Sequence, residues 1–366
     1  MREKPTSPDP FDAERSALAN WVVAAMRAGD LGDVEFNELA LAVFRHQLRW
    51  NVAYARFVQS QGGDGVRHWT EIPAVSTDVF KWESLPVVCG PAEAAPHRFR
   101  TSGTGTTGEL RGTHYFHSLN VYEASIEIAW KRLGLPQLPV YAVTLAPEDW
   151  PESSLGHMVG VLQRMLPEGG GCFIQKDGQL RADALWNSLQ SLPANQPVLV
   201  LGTALAFLNW FEQMDTGSVP PLTLPPGSAV METGGYKGSG RVLEKSVLYQ
   251  LFESHLGVPA DRIINEYSMT ELSSQFYSEG IGRPHRGPSW ARARVIDPET
   301  RAEVSVGERG YVEIVDLANV DSVLAIQTRD LAVRREGGYF ELIGRDPAAL
   351  PRGCSRAADE LMRNAQ

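Results

Sequence analysis

Four short apolar runs constrain this chain most: PVYAVTL (139–145), PVLVLG (197–202), SAVMET (228–233) and RIINEY (262–267). Each is β-rich, ends in small or polar residues, and alternates with stretches of helical character. Strands that alternate with helices need crossover connections, which predicts a largely parallel sheet flanked by helices, with ligands at the carboxyl ends of the strands. The expected fold class is α/β. Upstream, Leu18, Trp21, Val22 and Ala25 recur at helical spacing with Gly29 just beyond, and Phe36, Leu39, Val43, Trp50, Tyr54 and Phe57 form a second helical face with Gln47 as its one polar lapse. After about residue 286 the pattern becomes alternating in ARARVID, GYVEIVD and LAVRREGGYFELIG, the last around a Gly337–Gly338 turn. The expected organisation is a helical part over 1–70, an α/β core over 71–285, an antiparallel β subdomain over 286–346 and a tail over 347–366.

Composition narrows the function classes. With 366 residues, 43% of them hydrophobic, the chain can bury a large core. Its 34 Lys and Arg against 44 Asp and Glu leave a formal charge of -10, which repels a phosphate backbone and argues against nucleic acid as a partner. No apolar run approaches the ~20 residues of a membrane helix, and MREKPTSPDP lacks a secretory hydrophobic segment, so the expected location is the cytoplasm without a membrane partner. Cys89, Cys172 and Cys354 are too widely spaced for a disulfide framework or a metal site.

The most informative loop is TSGTGTTG, comprising Thr101, Ser102, Gly103, Thr104, Gly105, Thr106, Thr107 and Gly108, with Arg111 shortly after. Small residues let the backbone approach an anion while hydroxyl and N–H groups donate to it, so the segment reads as a phosphate cradle. It has no GK[ST] ending and is not a dinucleotide fingerprint. In NEYSMTE (265–271) a β-rich run ends in a polar turn whose Glu271 could hold magnesium, an ion that reaches protein through one or two carboxylates plus substrate phosphates.

Together these segments resemble the adenylate-forming superfamily of acyl-CoA synthetases, nonribosomal adenylation domains and luciferases. The octet is similar to that superfamily's phosphate loop. YSMTE (267–271) is similar to its aromatic-G-x-T-E segment, which implies that Tyr267 and Ser268 border the nucleotide, that Thr270 contacts the α-phosphate and that Glu271 binds magnesium. TGG (Thr233, Gly234, Gly235) resembles the strand end that lines adenine, QTRD (327–330) the segment whose carboxylate, here Asp330, grips the ribose, and Gly344–Arg345 the hinge motif. SSLGHMVG (153–160) falls where the superfamily carries its acyl-pocket motif, making His157 a pocket-wall candidate. Thr203 and Phe207 are further pocket candidates, although Leu205, Phe207, Leu208 and Trp210 at helical spacing equally read as core.

The chain also departs from that pattern. The phosphate loop is longer than usual, Arg111 stands near a common Lys, Ser268 replaces a Gly, and Arg329 replaces the Gly of T-G-D. The catalytic lysine of the superfamily's C-terminal domain has no counterpart in the residues after Arg345. Within the superfamily the likeness is greatest to the acyl-protein synthetase of the bacterial bioluminescence fatty-acid reductase complex, on IPAVSTDVFK (72–81), TGGYKG (233–238), QTRDLA (327–332) and RGCS (352–355). That resemblance implies a thioester on Cys354, where Arg352 and Arg356 would favour the thiolate. The implied activity is ATP- and magnesium-dependent activation of a small-molecule fatty or aromatic carboxylic acid as acyl-AMP, with Thr270, Glu271, Arg111 and Cys354 as the working groups. A reductase, a carrier protein or coenzyme A are candidate acyl acceptors. A stand-alone aryl-acid adenylating protein and a nucleotide or aromatic-ligand binder without turnover are the competing readings.

Overall fold

The computed structural model describes residues 9–63, 65–101, 111–217, 220–234 and 243–346. Three helices open the chain: α1 (Pro10–Ala28), α2 (Asp33–Trp50) and α3 (Val52–Ser60). Asp9 caps α1 by accepting from the Phe11 N–H at 2.9 Å, and Pro10 occupies a first-turn position where its missing N–H costs nothing. The second predicted helical face is broken at Asn51, whose side chain accepts from the Tyr54 N–H and so starts α3 as a separate helix. Gln47, the polar lapse on that face, is wholly buried: its amide donates to the Asn319 carbonyl at 2.7 Å and accepts from the Leu324 N–H at 3.0 Å. Trp21 is 46% exposed and lies off the buried stripe of Leu18, Val22 and Met26.

After the short strand β1 (Val75–Ser76), strands β2 (His97–Arg100) and β3 (Thr113–Phe116) form an antiparallel hairpin that stands as its own two-stranded sheet. The α/β portion follows with α4 (Asn120–Arg132), β4 (Val140–Leu145), α5 (Ser154–Met165), β5 (Gly170–Ile174), α6 (Ala182–Gln190), β6 (Leu199–Gly202), α7 (Ala204–Asp215), β7 (Ala229–Glu232), α8 (Lys245–Leu256), β8 (Ile263–Tyr267) and β9 (Phe276–Glu279). The four predicted runs are β4, β6, β7 and β8, adjacent and parallel in a six-stranded sheet of order β5-β4-β6-β7-β8-β9; only β9 runs antiparallel. Their burial on both faces is what a near-continuous apolar run encodes. One face packs Ala142, Leu201, Met231 and Ile264 against Trp130 of α4 and Met158 and Leu162 of α5. The other packs Val143, Val200 and Val230 against Phe207, Phe211 and Phe252 of α7 and α8.

The second large sheet is built from β10 (Ala291–Ile296), β11 (Arg309–Asp316), β12 (Ala325–Arg334) and β13 (Phe340–Arg345), antiparallel throughout except for β1, which joins β12 in parallel. The Gly337–Gly338 turn links β12 to β13, both glycines taking left-handed φ of 74° and 76° that other residues adopt at a cost. One hydrophobic cluster contains Val22, Phe36 and Tyr54 from the helices together with Val312, Ile326 and Phe340 from this sheet, so the N-terminal helices and the β-rich part share a core. Among the described residues, no helix is long and apolar enough to cross a membrane.

Candidate functional site

The carboxyl ends of the parallel strands meet the second sheet at Tyr267, the last residue of β8. Its phenol donates to Asp330 Oδ2 on β12 at 2.8 Å, and Asp330 in turn faces Arg345 of β13 across the ladder. Three sequence candidates from three strands thus converge on one point. Thr270 and Glu271 lie on the turn just beyond. The turn is held by His114 of β3, whose Nδ1–H donates to the Thr270 carbonyl at 2.9 Å, and by Asn319, whose amide donates to the Glu271 carbonyl at 2.9 Å. Asp316 anchors the following residues, accepting from the Ser273 and Ser274 N–H groups and from the Ser274 hydroxyl at 2.7–2.9 Å.

His114 is wholly buried; burial lowers its pKa to about 4 against the opposing bond to Thr270, so the ring is neutral. Its Nε2 accepts from the Ser322 hydroxyl at 2.8 Å, which fixes the tautomer that donates to Thr270. His114 also belongs to the hairpin that carries the phosphate-loop candidate. The loop's root is closed by Thr101: its N–H donates to the Gly112 carbonyl at 2.9 Å, its hydroxyl accepts from the Gly112 N–H at 2.8 Å, and its carbonyl accepts from Arg111 Nε at 2.7 Å. Arg111 lies over the Trp150 ring at 5.8 Å, and its Nη2 is buried without a hydrogen-bond partner among the described residues. Ser102, Gly103, Thr104, Gly105, Thr106, Thr107, Gly108, Gly235 and Cys354 lie outside the described residues.

Thr233 and Gly234 continue β7 toward the same end, with the Gly234 N–H donating to Glu232 Oε2 at 2.8 Å. Beneath them is a buried polar knot. Asn265 donates to Glu232 Oε1 at 2.6 Å and its oxygen accepts from Lys245 Nζ at 3.0 Å and His285 Nε2 at 2.8 Å. Burial raises the Glu232 carboxyl and lowers the Lys245 ammonium, each countered by the other's charge. Arg329, the unusual cation of QTRD, is paired with Asp78 from the 72–81 segment.

His157 sits on α5 with its Nε2 bonded to Glu123 Oε1 at 2.8 Å, its ring 5.4 Å from Phe99 and 5.8 Å from Tyr122. Burial lowers its pKa, with Glu123 opposing. Thr203 caps α7 by accepting from the Ala206 N–H at 3.1 Å. Phe207 does not join His157: it lies on the other face of the sheet, wholly buried and edge-on to Phe252 at 4.8 Å, because the i, i+4 stripe of α7 fills the core against α8. The Cys89 thiol is fully buried and pushed well up by burial, and that of Cys172 is raised for the same reason.

His114, Asn319, Asp316 and Asn265 are not among the sequence candidates. Asn265 had a signal in its place two residues before Tyr267 at a strand's end; the others sit in ordinary strand or turn contexts, and only the fold reveals that they support the Thr270–Glu271 turn.

This architecture is that of the adenylate-forming enzymes. A 2-hydroxyisobutyryl-CoA ligase solved in the postadenylation state with 2-HIB-AMP superposes with a TM-score of 0.64 at 14% identity over 87% of this chain and 70% of that one. An open conformation of the ligase with 2-HIB-AMP and CoA gives 0.64 at 15% identity over 89% and 79%. ATP-bound MatB from Rhodopseudomonas palustris gives 0.47 at 17% identity over 70% of this chain, which spans 49% of that enzyme. Residues 30–362 match the model of the family described as acyl-protein synthetase, LuxE, and the chain belongs to that family. A long-chain-fatty-acid–luciferin-component ligase of Aliivibrio fischeri is 27% identical over 103 residues, 26% of this chain and 27% of the ligase.

Proposed function

We propose that this protein activates a carboxylic acid with ATP, forming an acyl-adenylate and releasing pyrophosphate, and then transfers the acyl group to a thiol, with the acyl–phosphate bond broken and AMP released. The observation that carries the reading is the Tyr267–Asp330 hydrogen bond at 2.8 Å, which joins two segments 63 residues apart, each a nucleotide-binding candidate on its own. In this scheme a carboxylate oxygen attacks the α-phosphorus, the bond to the β-phosphate oxygen breaks, and pyrophosphate leaves with the electron pair. The protein's contribution is to hold two anions in line and neutralise developing charge. Arg111 suits that task, since its buried Nη2 has a donor to spare among the described residues. Thr270 offers a hydroxyl on a turn whose backbone is pinned by His114. Asp330, oriented by Tyr267, presents a carboxylate to the ribose hydroxyls.

Among the described residues, no group of three or more His, Cys, Asp or Glu could hold a metal by itself. A single carboxylate shared with phosphates is how magnesium is commonly held, and Glu271 at the strand's end fits that role. When bound there the ion would supply charge neutralisation on the phosphates. Membership of the acyl-protein synthetase family supports an acyl group that ends on protein, with Cys354 as the candidate carrier and a reductase, carrier protein or coenzyme A as onward acceptor.

The test is ATP–pyrophosphate exchange across fatty and aromatic acids, followed by intact-mass analysis of the acylated chain. We expect acid-dependent exchange, abolished in Asp330→Ala, and an acyl mass lost in Cys354→Ser while exchange persists. ATP binding without exchange for any acid would favour a non-catalytic binder.

A further inference from the structure

Lys245 is out of place in its own helix. It is the first residue of α8, where the helix dipole disfavours a cation, and Glu244 before it makes no side-chain cap. What the local structure leaves unexplained, the tertiary structure supplies. The Lys245 ammonium turns inward over the Tyr249 ring, 5.7 Å from its centre, and donates to Asn265 Oδ1 at 3.0 Å. The other end of the same amide is held by Glu232, since Asn265 Nδ2 donates to Glu232 Oε1 at 2.6 Å. His285 Nε2 also donates to Asn265 Oδ1, at 2.8 Å, so every contact agrees on which end of the amide is the oxygen.

Glu232 is 3% exposed and Asn265 6%. Both Glu232 oxygens accept from N–H groups, Oε1 from Asn265 and Oε2 from Gly234 at 2.8 Å. A carboxyl group met only by donors is in its acceptor-only, ionised form, and a buried anion persists only with a cation near it. Lys245 is the cation acting on Glu232, and Glu341 of β13 also acts on Lys245. Gly234 takes a left-handed φ of 62°, and its carbonyl accepts from the Ala204 N–H at 3.0 Å, so both of its backbone groups are committed. Glu232 marks where the chain leaves β7, Lys245 where it enters α8, and Asn265 lies two residues before Tyr267. One amide thus clasps the strand ends that carry Thr233, Gly234 and Tyr267.

We propose that Lys245 is a positioning residue for the nucleotide: acting through Asn265 and Glu232, it holds the ends of β7 and β8 at the separation that the base and ribose require. The proposal rests on the adenylation reading above. Lys245 touches none of the reacting atoms in that scheme, so its loss is felt in ATP binding rather than in the chemical step. Without the ammonium, the Glu232 carboxylate is buried with no counter-charge. It then takes up a proton, which turns one acceptor into a donor and releases either the Gly234 N–H or the Asn265 amide.

The test uses the full chain with magnesium and ATP. Lys245→Met is expected to weaken ATP by about tenfold, in the calorimetric Kd and in the KM for exchange, with kcat and the KM for the acid within about twofold of the parent. Glu232→Gln should do the same by removing one acceptor. The two changes together distinguish positioning from simple damage. With charge gone from both sides, Asn265 can turn over and bond Gln at position 232, so the double variant should bind ATP more tightly than Lys245→Met alone. Losses that add in the double variant, or a fall in kcat with ATP affinity unchanged, would overturn the proposal. Where Lys245→Met does not fold, Glu232→Gln decides: a raised KM for ATP at constant kcat supports the inference, and an unchanged KM overturns it. If no acid supports exchange, the adenylation reading fails by itself and the calorimetric affinities of the same variants still decide. A parent chain that binds no ATP overturns both.

Discussion

At the level of single residues, the buried histidines carry the clearest pH signature. His114 has its pKa lowered to about 4 and His285 to about 3, both chiefly by burial. A histidine depressed in the folded state binds its proton more readily when unfolded, so its contribution is complete above the ordinary value of 6.5 and is lost as pH falls from there toward 4. For His114 the loss is on the order of 3 kcal/mol by pH 4. Urea midpoints measured from pH 7 to pH 4 should therefore fall, and His114→Gln, which can still donate to Thr270, should flatten that slope. An unchanged slope would mean that His114 remains neutral in both states or is protonated in both. Glu266 works in the opposite sense. Its carboxyl is raised to about 7, so its contribution is present below the ordinary value of 4.5 and lost as pH rises through 7.

At the level of elements, Gln47 shows what a polar lapse on an apolar face can mean. It serves the Asn319 carbonyl and the Leu324 N–H in the β11–β12 connection, tying α2 to the stretch that also supports Glu271. Gln47→Leu keeps the helix but leaves two buried backbone groups unpaired, which should lower stability by on the order of 3 kcal/mol in equilibrium unfolding. A variant as stable as the parent would show that water or a rearranged backbone replaces the amide. Local pattern made the strands legible in advance, because β4, β6, β7 and β8 are continuous apolar runs and β10 to β13 alternate. The second helical face is carried by two helices, because Asn51 both ends α2 and caps α3, a dual role that spacing alone does not reveal. In the candidate site, Tyr267, Thr270 and Glu271 stand out because they share a compact polar segment at the end of β8, and Asp330 because it sits in the compact QTRD segment within β12. His114 and Asp316 do not, since their importance comes from partners far away in the chain. Phe207 was ambiguous for a related reason, as periodicity cannot tell which side of a sheet a helix will cover.

At the level of the whole molecule, the N-terminal helices are fastened to the β-rich part by a buried ion pair as well as by the shared core. Arg15 of α1 donates to both oxygens of Asp321, whose Oδ2 also accepts from the His117 N–H at 2.7 Å. Asp321→Asn retains an acceptor for His117 but leaves the Arg15 charge buried and unopposed, a loss of about 3–5 kcal/mol. Thermal unfolding should show this as a single transition at lower temperature; an early, separate melting of the helical part would instead mean that the two regions unfold independently. The β2–β3 hairpin stands apart from both large sheets yet is fixed to them through His114 and His117. The Tyr267–Asp330 bond spans the seam between those sheets. A molecule lodged against that phenol and carboxylate would act as a crossbar, resisting any sliding of one sheet past the other, so that occupancy at the seam would be felt as stiffness in strands that never touch the occupant.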